Sequence, residues 1–195
     1  MKIICMGDSI TFGLGLEADF SRRWTALVEE KMGVQMINRG ISGDTTGGML
    51  ARCQTEVFPE QPDYLLILGG INDICLAGQY RIPCMNIAAM VKQADAKGVP
   101  VIMGLPLPIA PEDMHRMAWD VERDNVKNAG ECEKLSWWLT NYCEERNISV
   151  VDFRSIFIRK DGSVRRELFQ DGVHPTAEGH RLMAEQVCNV LEPLV

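Results

Sequence analysis

The stretch Ile3-Ile4-Cys5-Met6-Gly7-Asp8-Ser9-Ile10-Thr11 decides the fold class, because an apolar run breaks abruptly into a polar turn that begins with glycine. Four apolar residues bounded by such a turn predict a short strand that is buried on both faces. A serine directly after a strand has an exposed hydroxyl and a backbone N–H that is still available as a donor. The stretch therefore predicts a strand-to-helix turn with Ser9 as a candidate nucleophile.

The rest of the chain alternates short apolar runs with longer segments of helical periodicity. Such alternation predicts an α/β fold in which helices cover both faces of a parallel sheet. Active sites in these sheets gather at the carboxyl ends of the strands. The length of 195 residues suits one domain over positions 1–195. Further strands are predicted at Val34–Ile37, Tyr64–Leu68, Val99–Met103 and Ile148–Val151, and helices at Phe20–Met32, Thr45–Cys53, Ile87–Ala94, Leu135–Cys143 and Ala177–Leu191.

Composition and charge indicate which binding partners and which cellular compartment suit the protein. The formal net charge is −7 and no Lys/Arg run offsets it, which disfavours nucleic acids and anionic membrane surfaces. No apolar run approaches the length of a membrane span, and the apolar start of the chain is too short for the core of a signal peptide. Seven scattered cysteines without a C-x-x-C pair predict reduced thiols and a cytoplasmic location, with no disulfide framework or zinc site. The oligomeric state is not set by the sequence, and a homo-oligomer stays open.

Two more polar turns follow predicted strands. After the second strand, the stretch from Asn38 to Thr45 contains Gly40 and Gly43, whose backbone N–H groups are candidates for binding an oxyanion. After the third strand, Asn72 places a neutral amide donor beside two glycines. Taken singly, the glycine stretch is better explained by a turn with Asp44 capping the next helix, and an Asx turn is a common explanation for Asn72.

A fourth polar turn, Asp171-Gly172-Val173-His174-Pro175, stands just before the last helix. A histidine that acts as a base needs an acceptor to fix its tautomer, and an Asp three residues earlier on the same turn can curl back to it. Of the three histidines, only His174 has this context. His115 lies in the long irregular stretch from 104 to 130, and His180 is predicted on the surface of the last helix.

Alternative sites compete for some of these residues. The stretch from Gly13 to Ala18 fits G-x-G-x-x-A, but residues 7–12 separate it from the strand, so dinucleotide binding is disfavoured. A metal site built from Asp8, Asp171 and His174 would leave Asn72 and the glycine turns without a role.

Two pairs of large apolar side chains could lie either in the core or at a binding site. Trp137 and Trp138 are predicted to pack against the sheet instead of binding sugar. Met114 and Met117 are predicted to be core filler, with the lining of an acyl pocket as the alternative.

The four polar turns together resemble the sequence blocks of the SGNH hydrolases, the GDSL-type esterase and lipase family. Gly7-Asp8-Ser9 matches the first block, with Ile10 where Leu is usual. Gly43 matches the second, Gly70-Ile71-Asn72-Asp73 the third, and the Asp171–Pro175 turn the fourth. The resemblance spans positions 7–175. It implies a three-layer α/β/α, flavodoxin-like fold with a central sheet of about five parallel strands.

The same resemblance implies a serine hydrolase that cleaves carboxylic esters through an acyl-enzyme, without cofactor or metal. Ser9 would attack the ester, His174 would take its proton, and Asp171 would orient the imidazole. The N–H groups of Ser9 and Gly43 and the Asn72 amide would hold the oxyanion, and Gly43 is preferred to Gly40 because Asp-Thr follows it.

The substrate expected from this resemblance is a small-molecule ester. The small chain favours short acyl or acetyl groups. A carbohydrate acetylesterase and a lysophospholipase or thioesterase of the same family are the alternatives. A non-catalytic α/β module that binds an anion at a helix N-terminus stays open as a different class.

Overall fold

A computed structural model describes residues 1–114 and 124–194. Within them, five strands form one sheet in the order β2-β1-β3-β4-β5, and every neighbouring pair is parallel. The predicted parallel sheet of five strands is therefore confirmed. The strands are β1 (Lys2–Gly7), β2 (Gln35–Gly40), β3 (Tyr64–Leu68), β4 (Val101–Gly104) and β5 (Ser149–Val151).

Helices cover the sheet on both sides. The described residues contain α1 (Ser9–Phe12), α2 (Trp24–Met32), α3 (Thr46–Glu56), α4 (Ile71–Ala77), α5 (Arg81–Ala96), α6 (Asn125–Glu144), α7 (Phe153–Ile156) and α8 (Ala177–Leu191). Helix α2 packs against α8, while α5 packs against both α3 and α6. Right-handed crossovers in this strand order place these two groups on opposite faces. The three-layer α/β/α arrangement is thus confirmed.

The two central strands explain why the apolar runs are continuous and not alternating. The side chains of Ile3, Ile4 and Leu66 have no exposed surface, because helices cover both faces of the sheet. Complete burial of one such side chain stabilises a fold by roughly 1.5–3 kcal/mol relative to exposure.

The predicted helix Phe20–Met32 is interrupted in the structure. A 3₁₀ turn at Phe20–Arg22 is followed by Arg23 in extended conformation, and α2 begins only at Trp24. The break lets the Trp24 ring enter the core against Phe153, with ring centroids 5.7 Å apart. The Arg23 guanidinium meanwhile lies over the Phe20 ring, 3.5 Å from its centroid.

The prediction that Asp44 caps the following helix is wrong. Thr45 is the N-cap of α3, and its hydroxyl accepts the Gly48 N–H at 3.2 Å. The Asp44 carboxylate lies beside Gly48 in the first turn of α3 and forms an ion pair with Arg52, with 2.9 Å between Nε and Oδ2.

The aromatic prediction holds for only one of two neighbouring tryptophans. Trp138 packs against the core and stacks on Tyr142, with centroids 4.7 Å apart. Trp137 is 67% exposed, so its predicted packing against the sheet is wrong. Met114 is buried in the core as predicted, while Met117 lies outside the described residues.

In residues 1–114 and 124–194, no helix combines the length and apolar character needed to cross a membrane. All seven cysteines are buried. Burial raises the pKa of the Cys84 and Cys132 thiols to about 12, so both stay protonated at neutral pH.

Candidate active site

The turns after β1, β2 and β3 meet at one edge of the sheet, because these strands are neighbours in the order β2-β1-β3. They surround a cleft of about 320 Å³. Ser9, Gly43, Asn72 and His174 all line it, so the structure brings a residue from each of the four sequence blocks to one place. The remaining lining residues are Leu14, Ser42 and Leu76.

Ser9 is the first residue of α1, a position whose N–H has no acceptor within the helix. Asp8 caps that helix, since its Oδ1 accepts the Ile10 N–H at 2.9 Å. Burial raises the pKa of the Asp8 carboxyl to about 6, and the hydrogen bond from Ile10 opposes that rise. Asp8 therefore fixes the turn on which Ser9 stands.

Three side chains form a continuous hydrogen-bonded chain at the cleft. Ser9 Oγ lies 2.8 Å from His174 Nε2, and His174 Nδ1 lies 2.7 Å from Asp171 Oδ2. With the proton on Nδ1, the imidazole donates to the carboxylate and accepts from the serine hydroxyl. This is the arrangement of nucleophile, base and orienting acid that acyl transfer requires.

The Asp171 carboxylate is held by more than the imidazole. Its Oδ1 accepts the backbone N–H groups of Val173 at 3.1 Å and of His174 at 2.9 Å. Burial alone would raise the pKa of Asp171, but the hydrogen bonds from the side chain and backbone of His174 hold it below its usual value. The group thus stays ionised and able to stabilise an imidazolium.

The turn that carries His174 is tied to the rest of the fold. The Ala110 N–H donates to the Gly172 carbonyl at 2.9 Å, and the Gln170 N–H donates to the His174 carbonyl at 2.9 Å. These bonds fix the backbone on both sides of the imidazole, so the ring keeps its aim at Ser9.

Gly43 supplies a second backbone donor beside Ser9. It stands third in a turn closed by the Asp44 N–H on the Ile41 carbonyl at 3.0 Å, and its φ of 78° suits glycine. The Gly43 N–H makes no hydrogen bond to any described residue. It therefore remains available to an oxyanion in the cleft.

Asn72 lies in the first turn of α4 and faces the same cleft. Its Nδ2 donates to the Asp44 carbonyl at 2.8 Å. A primary amide carries two N–H donors, so one fixes the side chain and the other is left for a ligand.

Gly40 is the competing candidate for the oxyanion donor, but its N–H and its lack of a side chain serve other contacts in the structure. Its N–H donates to Asn38 Oδ1 at 2.9 Å. A Cβ at this position would collide with the backbone nitrogen of Phe12, so the glycine serves the close contact of β2 with α1. These observations favour Gly43 as the oxyanion donor.

The roles of two polar residues near the cleft, Asp73 and Arg52, were not predicted from the sequence. The buried Asp73 accepts both the backbone N–H of Thr46 at 2.8 Å and its hydroxyl at 2.7 Å, which fastens α4 to the start of α3. Arg52 contacts Asp44 from within α3. The adjacency of Asp73 to Asn72 is a signal that could have identified it, whereas nothing local distinguishes Arg52 from a surface arginine.

The surface prediction for His180 is wrong. The side chain is fully buried, and its Nδ1 accepts the Trp24 N–H at 3.4 Å. Burial lowers the pKa of His180 to about 4, so the ring is neutral at physiological pH. His115 lies outside the described residues.

The alternative sites find little support. Gly13 ends α1 in a left-handed conformation instead of opening a helix toward a pyrophosphate. Asp8 and Asp171 are occupied by backbone and imidazole hydrogen bonds. Within the part of the chain that the structure describes, no group of three or more His, Cys, Asp or Glu side chains is arranged to hold a metal ion.

Comparison with known proteins decides the family. The model of the GDSL-like lipase/acylhydrolase family matches residues 5–182. The chain belongs to this family. The match includes all five residues singled out by the cleft geometry, from Ser9 to His174.

Relatives of this GDSL-like chain align with it over nearly its full length. Esterase TesA of Pseudomonas aeruginosa is 28% identical over 201 residues, which cover 99% of this chain and 89% of the relative. The acetylxylan esterase of Geobacillus stearothermophilus is 26% identical, over 94% and 90%. A solved structure of a lipolytic protein of the G-D-S-L family from Desulfitobacterium hafniense superposes with a TM-score of 0.81 at 26% identity, covering 97% of this chain and 99% of that one.

The family assignment identifies the protein as a serine hydrolase that cleaves carboxylic esters. The alternative of a non-catalytic module that binds an anion is therefore set aside. The same assignment does not choose among ester substrates, because the relatives carry different names.

Proposed function

We propose that Ser9, His174 and Asp171 are the catalytic triad of this esterase, in one catalytic domain over residues 1–195. The observation that carries the proposal is the hydrogen-bonded chain from Ser9 Oγ through His174 to Asp171, with links of 2.8 and 2.7 Å at the cleft. The family match over residues 5–182 supports the domain extent.

The proposed reaction proceeds in two halves. Ser9 Oγ attacks the ester carbonyl carbon while its proton passes to His174 Nε2. The tetrahedral intermediate collapses when Nε2 returns that proton to the leaving alcohol, which leaves an acyl group on Ser9. A water molecule then repeats both steps through the same imidazole and releases the carboxylic acid. Asp171 stabilises the imidazolium that forms in each half.

The proposed oxyanion hole consists of the Ser9 and Gly43 N–H groups and the Asn72 side chain. Asn72→Ala should lower kcat by roughly 10²–10³-fold with KM little changed, because the donor binds the oxyanion more strongly than the ground-state carbonyl. Steady-state kinetics with a p-nitrophenyl ester measures both constants. Labelling by a fluorophosphonate should slow but persist, since Ser9 and His174 remain.

A structural role for Asn72 predicts a different outcome. The Asn72→Ala sample would then show a lower melting temperature and less folded protein, with normal turnover per active site. Active-site titration and a melting scan on the same sample separate the two cases. Normal kcat per titrated site would rule out the oxyanion role.

Short acyl groups are the proposed substrates. The cleft is small, and among the described residues its apolar lining beside Ser9 is limited to Leu14 and Leu76. Leu76 is 66% exposed, so the cleft opens directly to solvent on that side. A few methylene groups can gain contact with these side chains, whereas a long chain would extend into water.

A series of p-nitrophenyl esters from acetate to palmitate tests this preference. Each fully buried CH₂ is worth about 0.8 kcal/mol, so kcat/KM should rise at most about fourfold per carbon over the first few carbons. It should then fall for long chains. A maximum at twelve or more carbons would contradict the proposal and favour a lysophospholipase or thioesterase.

Acetylated carbohydrate is the second candidate substrate, because a relative named acetylxylan esterase covers 94% of this chain. Acetylated xylo-oligosaccharide and p-nitrophenyl acetate share the acyl group and differ in the alcohol. A higher kcat/KM on the sugar, despite its poorer leaving group, would assign recognition to the alcohol side. Equal or lower values favour the short-chain carboxylesterase.

We also propose a cytoplasmic location. The odd number and scattered spacing of seven cysteines, all buried, suit a reducing compartment. Recovery of the native protein in a membrane or extracellular fraction would contradict this proposal.

A further inference from the structure

Arg52 is an arginine of α3 whose side chain is only 12% exposed and whose guanidinium points back toward the active-site edge of the sheet. It donates to four acceptors: the side chains of Asp44 and Glu56 and the carbonyls of Gly7 and Arg39. A buried arginine is costly unless its donors are paired, and here the pairing engages Nε, Nη1 and Nη2.

Two of these acceptors are the carboxyl ends of neighbouring strands. Nη2 donates to the Arg39 carbonyl on β2 at 2.7 Å and to the Gly7 carbonyl on β1 at 3.2 Å. Gly7 immediately precedes the turn that carries Ser9, and its carbonyl also accepts the Ile41 N–H at 3.1 Å. Arg52 thus holds together the ends of β1 and β2, from which the Ser9 turn and the Gly43 turn begin.

The third acceptor, Asp44, is linked to the two other donors of the proposed oxyanion hole, Gly43 and Asn72. Arg52 Nε holds the Asp44 carboxylate at 2.9 Å. The Asp44 backbone adjoins Gly43, and its carbonyl accepts the Asn72 amide at 2.8 Å. A shift of Asp44 would therefore move the Gly43 N–H and turn the Asn72 side chain together.

We propose that Arg52 is a positioning residue of the oxyanion hole: its planar fork holds Asp44 against the ends of β1 and β2, and so aims the Gly43 N–H and the Asn72 amide at one point. The inference rests on the proposed oxyanion hole. Lysine cannot replace the arginine, because one ammonium group cannot hold a carboxylate and two carbonyls in a fixed plane. Arg52 is not among the residues that line the cleft, so it acts through its neighbours.

Arg52→Lys should lower kcat by about 10- to 100-fold with a small change in KM, since misplacement by about 1 Å costs as much as 10²-fold. Rates are normalised to active sites titrated to completion with a fluorophosphonate, so loss of folded protein does not count. Arg181→Lys is the matched control, because Arg181 also forms two ion pairs, on the exposed face of α8. It should keep the rate of the unaltered enzyme.

A double-mutant cycle with Asn72→Ala separates positioning from general support of the fold. If Arg52 acts through the hole, Arg52→Lys should cost several-fold less in the Asn72→Ala background than alone. Equal fold-losses in both backgrounds would overturn the positioning role. Should Arg52→Lys fail to fold, Asp44→Asn replaces it, because it removes the carboxylate that Arg52 holds and keeps the carbonyl that Asn72 contacts.

The same cycle tells the two proposals apart. Full activity of Asn72→Ala alone would overturn the oxyanion hole and the role of Arg52 with it. A large loss in Asn72→Ala with independent Arg52 effects would overturn only the inference about Arg52. A large loss with coupled effects supports both.

Discussion

Ser9→Ala should lower kcat for p-nitrophenyl acetate by roughly 10⁶-fold, the scale seen when the serine of a catalytic triad is removed. The loss is this large because no other group can carry the acyl intermediate. The backbone donors remain in the variant, so a small rate above that of water should persist. Stopped assays with purified enzyme and extended incubation measure the residual rate.

Ser42→Ala is the matched control for this substitution. Ser42 lines the same cleft, two residues before Asp44, and places a second serine hydroxyl near the substrate. Its variant should keep kcat within about tenfold, because no base contacts its hydroxyl among the described residues. Unchanged turnover in Ser9→Ala together with a collapse in Ser42→Ala would move the nucleophile to the second turn.

His174→Ala should show the second largest loss, about 10⁴- to 10⁶-fold in kcat, because Ser9 would have no acceptor for its proton. His180, the other histidine among the described residues, cannot substitute as the base because it is buried and hydrogen-bonded to the Trp24 backbone. Kinetics at several pH values measures the loss and excludes a simple shift of the optimum.

His180→Asn tests the opposite combination of effects. Asparagine keeps an acceptor for the Trp24 N–H but leaves part of the buried volume empty, so the melting temperature should fall. Turnover per active site should stay near normal. If His180→Asn lost turnover while His174→Ala kept it, the proposal that His174 is the base would be wrong.

Some strands and helices could be predicted from the sequence because they depend on residues that are close together in the chain. The strand Tyr64–Leu68 and the helix Ala177–Leu191 match the structure residue for residue, since both are bounded by clear turn or capping signals. Helices α1 and α4, with four and seven residues, are too short for apolar periodicity to reveal. The polar turns after the strands did mark both of their starts.

The active site combines a local and a long-range element. The Asp171 contact with His174 spans three residues and follows from one turn. The contact of Ser9 with His174 spans 165 residues, and no spacing rule predicts it. It was expected only because four sequence blocks resemble those of a known family.

Two of the wrong predictions, for His180 and Trp137, disagree with the periodicity of the helices that carry these residues. His180 lies on the same stripe of α8 as Met183, Ala184 and Val187, so its burial was readable from the spacing. Trp137 and Trp138 are adjacent, and neighbouring helix positions are rotated by about 100°. Trp137 lies on the side of α6 opposite the stripe of Cys132, Leu135 and Leu139, whereas Trp138 lies at the margin of that stripe.

Mapping the covalent adduct is the most direct test of the central claim that Ser9 is the nucleophile. The enzyme is inactivated with a fluorophosphonate, digested, and sequenced by tandem mass spectrometry. We expect one adduct per chain, on Ser9, with none on the Ser9→Ala variant. An adduct on another residue, or continued ester turnover by a fully labelled enzyme, would contradict the account.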